Sequence, residues 1–396
     1  MPIETTTETT TNTPNVVTAS NGHTIPEQSR ADRRTSYAPE DFAVPHGREE
    51  EWRFTPLDRL RGLLTTTPTP HHDHTANGDH HVRHDIVTRE DARARAAAGL
   101  PADRAAALAE DACTQVALLT IPAETELAEP FYLRHEGPGV EGPVAGHTVI
   151  HAERFSTGTI VLQFTGSAAL TDRVEIVAED GAQLTVVTIH EWDDTSVHLS
   201  EHDVLLGRDA TVKHITATLG GHLVRQCTNA RYTGPGGTFE GLGVYFADDG
   251  QHIEHRLFVD HSVPRCTSNV VYKGALQGDT AHTVWVGDVL IRAAAEDTDT
   301  YELNRNLVLT DGARADSVPN LEIETGEIVG AGHASATGRF DDEQLFYLMA
   351  RGIPEAEARK LVVRAFFGEI VQKIGVPEIS EHLMSAVDDE LAKAGS

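Results

Sequence analysis

The chain has 396 residues, of which 61 are Asp or Glu and 32 are Lys or Arg, giving a formal net charge of −29. This charge opposes binding to nucleic-acid phosphates and to anionic lipid surfaces, so neither is an expected partner. The first residues lack the pattern of an export signal, and no apolar run reaches about eighteen residues. We therefore predict a cytoplasmic protein that does not span a membrane.

The cysteine pattern agrees with a reducing compartment. Cys113, Cys227 and Cys266 are the three cysteines of the chain, and their spacing fits neither a disulfide framework nor a CxxC metal site. A single cysteine in an alternating strand, such as Cys266, is usually a small buried hydrophobe. A role in sulfur relay is the alternative, and it would need a lowered thiol pKa.

The first 125 residues divide into two parts. Residues 1–30 are rich in Thr, Asn, Pro and Ser and poor in large apolar groups, so we predict a disordered tail there. Over residues 31–125, helix-favouring pieces such as Arg89–Ala112 alternate with polar segments. This pattern predicts a helical N-terminal region.

A histidine-rich tract lies inside that region. His71–His84 contains six histidines in fourteen residues, and imidazole nitrogens suit Zn²⁺ or Ni²⁺. Because the tract is polar, turn-rich and free of cysteine, we interpret it as a surface loop with adventitious metal affinity. The alternative is a stand-alone metal-binding protein that uses this tract.

Residues 126–335 change to alternating patterns of period two, such as Val174 and Ile176 followed by Leu184 and Val186. Turn-forming pairs at 180–181, 208–209 and 236–237 recur about every 28 residues, as in the coils of a solenoid. Periodicity alone leaves a β-sandwich equally open. The segment is therefore predicted to be an all-β core.

Residues 336–396 are predicted to be helical. Asp341 or Asp342 can cap a first helix that Gly352 ends, and a second helix begins near Pro354. The second helix carries a wide apolar stripe. Covering the end of the solenoid is the simplest role for this stripe.

Motifs for independent catalysis do not occur in the sequence. It has no GxxxxGK[ST] phosphate loop, no GxSxG and no HExxH. The glycine-rich stretch Gly234–Gly243 lies between predicted strands and does not open a helix, which disfavours a dinucleotide site. His333, in "GAGHAS", is a candidate metal ligand because small neighbours leave room for a cluster or a second subunit.

Five segments carry a family resemblance in the same order along the chain: Glu50–Leu57 ("EEWRFTPL"), Cys266–Leu276, Tyr301–Ile323, His333 with Gly338, and Asp341–Ile353. They resemble the SufB/SufD family of iron–sulfur cluster assembly proteins, and the first is similar to the Trp-centred motif of the SufD branch. The similarity spans roughly residues 48–380. It implies a mainly β fold, a right-handed parallel β-helix flanked by N-terminal and C-terminal α-helical regions.

The resemblance also implies a function. Members of the SufD branch are non-catalytic scaffold subunits that pair with SufB and bind the ATPase SufC, and an iron–sulfur cluster is assembled transiently with SufB. His333 would be the histidine that faces a SufB cysteine at the interface. The expected SufC-docking residues are Leu361, Phe366 and Ile370 in the C-terminal helical region. The isolated chain could also form a homodimer.

One departure from the family pattern concerns thiolates. SufD relatives often carry a cysteine two residues before the histidine, whereas this chain reads "EIVGAGH" up to His333. A cluster is normally held by several thiolates, so His333 could complete a site built mainly by a partner. Two alternatives stay open: a SufB-like paralogue, and a β-helix carbohydrate-active enzyme such as a lyase or hydrolase.

Overall fold

The computed structural model describes residues 33–340 and 342–393. The tail predicted over residues 1–30 lies outside the described residues. Within the described ranges the chain forms strands β1–β17 and helices α1–α5, together with two short 3₁₀ turns at Pro39–Asp41 and Leu57–Arg59. None of the described helices is both long and apolar enough to cross a bilayer.

Five strands and two helices precede the regular core, and three helices follow it. The early strands are β1 (Thr69–Pro70), β2 (His74–Asn77), β3 (Arg83–Thr88), β4 (Gln115–Ile121) and β5 (Phe131–Ala152). The helices are α1 (Arg89–Ala96), α2 (Arg104–Ala112), α3 (Asp342–Ala350), α4 (Glu355–Gln372) and α5 (Pro377–Lys393). The core strands are β6 (Thr157–Ala178), β7 (Gln183–Trp192), β8 (Val197–Leu206), β9 (Thr211–Thr218), β10 (Leu223–Tyr232), β11 (Thr238–Ala247), β12 (His252–His261), β13 (Thr267–Leu276), β14 (His282–Ile291), β15 (Thr298–Val308), β16 (Arg314–Ile323) and β17 (Ile328–Arg339).

The core is a parallel β-helix, which confirms the predicted fold class. Each strand from β7 to β15 pairs in parallel with the strand two positions later, so that β7, β9, β11, β13, β15 and β17 form one face and β8, β10, β12, β14 and β16 form the other. The two 22-residue strands β5 and β6 pair along nearly their whole length and so contribute to both faces. The β-sandwich left open by periodicity is excluded by this parallel pairing.

The coil length follows from the turns between strands. His190 and Thr218, which bond across one coil, are 28 residues apart. At the turns the chain takes positive φ angles, 70° at Gly181 and 54° at Asp209, and glycine and aspartate tolerate this left-handed conformation better than β-branched residues do. These turn residues allow the short strands to repeat.

The lumen of the solenoid is filled by stacked side chains, many of them aromatic. Tyr245 and Tyr272 are 1% and 0% exposed. A Cβ at Gly243 would lie 2.1 Å from the Tyr272 ring, and a Cβ at Gly274 would lie 1.9 Å from the Tyr245 ring. Glycine is therefore required at both positions, because the rings occupy the space beside the backbone.

The N-terminal region packs on the face formed by the even-numbered strands. Trp52 is 4% exposed, and the guanidinium of Arg225 lies 3.9 Å from the centre of its ring. Asp103 accepts the N–H of Ala106 as the N-cap of α2 and also accepts from Arg225 at 2.9 Å. The helical content predicted for 31–125 is present as α1 and α2, and β1–β4 also lie in this range.

The C-terminal helices cover the opposite face. Val363, Phe367 and Ile370 of α4 are buried against residues of β7, β9, β11 and β13. Gly352, with φ 87°, follows the end of α3, and Pro354 is the N-cap of α4. The boundaries expected from Gly352 and Pro354 agree with these helices.

Candidate functional site at the free end of the solenoid

The free end of the solenoid is formed by β16 and β17. β17 pairs with β15 and β16 with β14, and no later strand pairs with either one within the described ranges. An edge strand presents unpaired N–H and C=O groups to any chain that can add a strand. Val329 on β17 is 70% exposed. This end therefore offers both backbone and apolar surface to another subunit.

His333 lies on this last strand, and its side chain is exposed. No hydrogen bond to its imidazole occurs from any part of the chain that the structure describes. Its neighbour Gly332 is in register with Tyr301 of β15, and a Cβ there would lie 3.3 Å from the Tyr301 ring. The small residues beside His333 therefore keep the surface around the imidazole open.

A buried carboxyl lies in the coil below. Glu302 of β15 is the register partner of His333 and is 1% exposed. Among residues 33–340 and 342–393, no group forms a hydrogen bond to either of its carboxyl oxygens. Burial raises the pKa of Glu302 to about 8, and the nearby carboxylate of Asp288 adds to the increase. A Cβ at Gly287 would lie 2.8 Å from Glu302 Oε1, so glycine leaves room for this carboxyl.

A hydrogen-bonded network that does not include Glu302 follows it along the inner face of β15. Asn304 Nδ2 donates to the Tyr245 hydroxyl at 2.9 Å, and that hydroxyl donates to Asn306 Oδ1 at 2.7 Å. Asn306 Nδ2 donates to Asn304 Oδ1 at 2.8 Å, and Ser317 Oγ donates to the same oxygen at 2.7 Å. A fully bonded buried network holds its members in one geometry, which fixes β15 beneath β17.

Sequence reasoning identified His333 but did not single out Glu302. The alternation along β15 predicts that Glu302 is buried. Glu302 is an even number of residues from Thr300, Asn304 and Asn306, which all point into the lumen. That the Glu302 carboxyl has no hydrogen-bond partner among the described residues depends on residues from other strands, so the sequence around Glu302 does not predict it.

The cysteines do not contribute a thiolate at this end. Cys113 and Cys266 are both 0% exposed, and burial raises the pKa of Cys113 and of Cys227 to about 12. Burial also raises the pKa of Cys266. These groups are protonated near neutral pH, which argues against sulfur relay through Cys266.

The three predicted docking residues lie at different depths in α4. Leu361 is 48% exposed, whereas Ile370 is 1% exposed and packs on the solenoid. Phe366 is half-buried, and its carbonyl accepts a hydrogen bond from Lys273 Nζ at 2.9 Å. Of the three, Leu361 has the largest exposed fraction, about half of the residue.

The neighbouring helix α3 carries a larger apolar surface. Phe346, Tyr347 and Met349 are 73%, 56% and 43% exposed, and α3 packs on α4. Soluble proteins seldom expose clustered large apolar side chains without a partner. We call Phe346, Tyr347, Met349 and Leu361 the C-terminal apolar patch.

Two other groups of side chains resemble metal sites in composition. Glu110, His147 and Glu175 are buried together, but Arg173 donates to Glu110 Oε2 at 2.6 Å and lies 3.3 Å from Glu175 Oε1. The guanidinium already supplies the positive charge that a metal would bring, so this cluster is a buried ion-pair network joining α2 to the solenoid.

The other group, Asp79, His80 and His81, lies in the histidine-rich tract. The Asp79 carboxylate accepts the N–H groups of His81 and Ala128, at 2.9 and 2.7 Å. The His81 N–H bond is the main cause that lowers the pKa of Asp79 to about 2, against the opposing effect of burial. Asp79 thus has a structural role, fixing the turn between β2 and β3.

The fold defines a parallel β-helix with helical flanks and one free end. The model of the protein family described as "SUF system FeS cluster assembly, SufBD core domain" matches residues 134–366 of this chain. The chain belongs to this SufBD family of the SUF system for iron–sulfur cluster assembly, which confirms the resemblance.

Named relatives support this assignment over most of the chain. Iron-sulfur cluster assembly SufBD family protein Rv1462 of Mycobacterium tuberculosis is 55% identical over 365 residues, covering 90% of this chain and 91% of that protein. Iron-sulfur cluster assembly protein SufD of Escherichia coli is 25% identical over 297 residues, covering 72% and 69%. The SufD of Bacillus subtilis is 24% identical over 279 residues, covering 69% and 63%.

Proposed function

We propose that this chain is the SufD-like, non-catalytic scaffold subunit of a SUF complex, and that it pairs with SufB through the free end of the solenoid. The observation that carries the proposal is the unpaired edge of β17, with His333 and Val329 exposed on it. Strand addition to an exposed edge is a common mode of protein association.

In such a complex the iron–sulfur cluster is cargo shared between two subunits. His333 supplies an imidazole, and the thiolates come from SufB, because the cysteines of this chain are buried or remote from β17. Glu302 lies one coil below His333 and keeps the lumen closed behind it.

The ATPase SufC is assigned to the C-terminal apolar patch. The patch is exposed and lies on helices, and helix-borne apolar anchors suit docking into a groove of a partner. Because the sequence lacks a phosphate-binding loop, ATP hydrolysis would come from SufC. The complex would work in the cytoplasm.

The two interfaces can be separated by substitution. The chain is co-expressed with SufB and SufC and purified by an affinity tag on this subunit. We expect Val329→Asp to lose SufB but retain SufC, and Phe346→Asp to lose SufC but retain SufB, because each change places a charge on one proposed interface only. Phe155→Asp, at a 64% exposed turn residue, is the matched control and should retain both partners.

The role of His333 is tested in the same preparation. His333→Ala should lower the iron and sulfide content of the purified complex while leaving its subunit composition unchanged. Ser335→Ala, at an exposed position of the same strand, is the control. Unchanged iron and sulfide in His333→Ala would reject the ligand role, and retention of SufB by Val329→Asp would reject the proposed interface.

A further inference from the structure

Two imidazoles of the histidine-rich tract and one from β5 lie together at the beginning of the solenoid, away from β17. His74 on β2 and His84 on β3 direct their Nε2 atoms at each other, 3.1 Å apart. His135 on β5 is the antiparallel register partner of His74, so the two side chains share one face of the sheet. All three side chains are half-buried.

The spacing of these rings is that expected of ligands on one metal ion. With metal–nitrogen bonds of about 2.0–2.1 Å and tetrahedral angles, bound nitrogens lie about 3.3 Å apart and imidazole ring centres about 5 Å apart. The ring centres of His74 and His84 are 5.1 Å apart, and those of His74 and His135 are 5.7 Å apart. The first pair needs little movement to chelate.

The surrounding structure positions these imidazoles on β2, β3 and β5. Asp79 fixes the β2–β3 turn through the N–H groups of His81 and Ala128, and the His135 ring stacks on Phe164 at 4.8 Å with an interplanar angle of 11°. An imidazole binds a metal through the lone pair of its unprotonated nitrogen.

We infer that His74 and His84 bind a divalent first-row transition-metal ion, with His135 as the third ligand. The nitrogens of the three rings do not all lie within 4.8 Å of one another, so His135 turns toward the ion when it binds. An all-nitrogen set suits Zn²⁺, Co²⁺, Ni²⁺ or Fe²⁺, and the net charge of −29 favours cations near the surface. Without the metal, the pair shares one hydrogen bond.

The inference is tested on the untagged full-length protein after treatment with a chelator. Titration with Co²⁺ should give one bound ion per chain and visible ligand-field absorption. Equilibrium dialysis with Zn²⁺, and with Fe²⁺ in the absence of oxygen, then compares the affinities of the other ions. His84→Ala and His74→Ala should each weaken binding more than tenfold. His135→Ala should weaken binding less, because it leaves the primary pair intact.

His80→Ala is the matched control, because this histidine belongs to the same tract but its side chain is 85% exposed and outside the cluster; it should bind like the unaltered protein. Circular dichroism confirms that each variant is folded, and His74→Ala replaces His84→Ala if the latter is not. The inference is overturned if the unaltered protein binds no Co²⁺ below about millimolar concentration. It is equally overturned if His80→Ala and His84→Ala lose affinity alike, since binding would then belong to the tract as a whole.

Discussion

The buried carboxyl of Glu302 makes a prediction about stability and pH in the metal-free protein. Its ordinary pKa is 4.5, and in the folded chain it is about 8. Between these values the folded chain holds a proton that the unfolded chain has lost, so this group makes the folded state progressively less stable as pH rises through the window. Glu302→Gln has nearly the same shape and no ionisation, and it should remove that dependence.

The magnitude follows from the size of the shift. Each pH unit above 4.5 corresponds to about 1.4 kcal/mol, so the glutamate destabilises the fold, relative to a neutral side chain, by about 2 kcal/mol at pH 6.0 and about 4 kcal/mol at pH 7.5. The free energy of unfolding of Glu302→Gln should therefore exceed that of the unaltered protein, and the difference should grow by about 2 kcal/mol between these pH values.

Urea unfolding with a chelator present, followed by circular dichroism and by tryptophan fluorescence, measures this difference. Trp285 is a useful reporter because its ring lies near the Glu302 carboxyl. Both groups line the space beside Gly287, where an added Cβ would contact each of them. Glu327→Gln, at an exposed position outside the strands, is the control and should show no growing difference. A difference for Glu302→Gln that stays constant with pH would refute the reasoning, as would a variant that is less stable at pH 7.5.

Two further substitutions test how the flanking regions attach. Arg173→Met should destabilise the protein by about 3–5 kcal/mol, because it leaves buried carboxylates without their cation. Arg314→Met, at an exposed residue, is the control. Equal urea midpoints for the two variants would contradict the ion-pair interpretation. Phe367→Ala should cost about 3–5 kcal/mol by leaving a cavity under α4, with faster proteolysis of the C-terminal helices. Phe346→Ala, 73% exposed, should change stability by less than about 0.5 kcal/mol, and similar losses in both variants would show that α4 does not pack as described.

The repeating pattern of the core is evident in the amino-acid sequence. Alternation in strands such as Leu184–Val186, with turn residues at a constant interval, predicts stacked coils because each coil buries an apolar face on the next. The distinction from a β-sandwich needed the parallel pairing or the family resemblance. The helix that Gly352 ends is evident in the sequence as well, since glycine readily adopts the positive φ that follows a helix.

The N-terminal strands were not predicted. β2 spans only His74–Asn77, within a polar tract that resembles a loop, and it becomes a strand because it pairs with the long strand β5. The sequence also did not show which side of α4 packs on the solenoid. Ile370 and Leu361 both belong to an apolar stripe, yet one contacts the solenoid and the other faces outward.

The sequence by itself determined the coil repeat, the strongly acidic character and the presence of His333 near the end of the β region, because these depend on local pattern and composition. The tertiary structure alone decided that His333 lies over a buried unpaired carboxyl, that three histidines from separate strands converge at the other end, and which face of α4 is free. Such juxtapositions arise from strand register and from packing between segments distant in the chain, so the local sequence does not predict them.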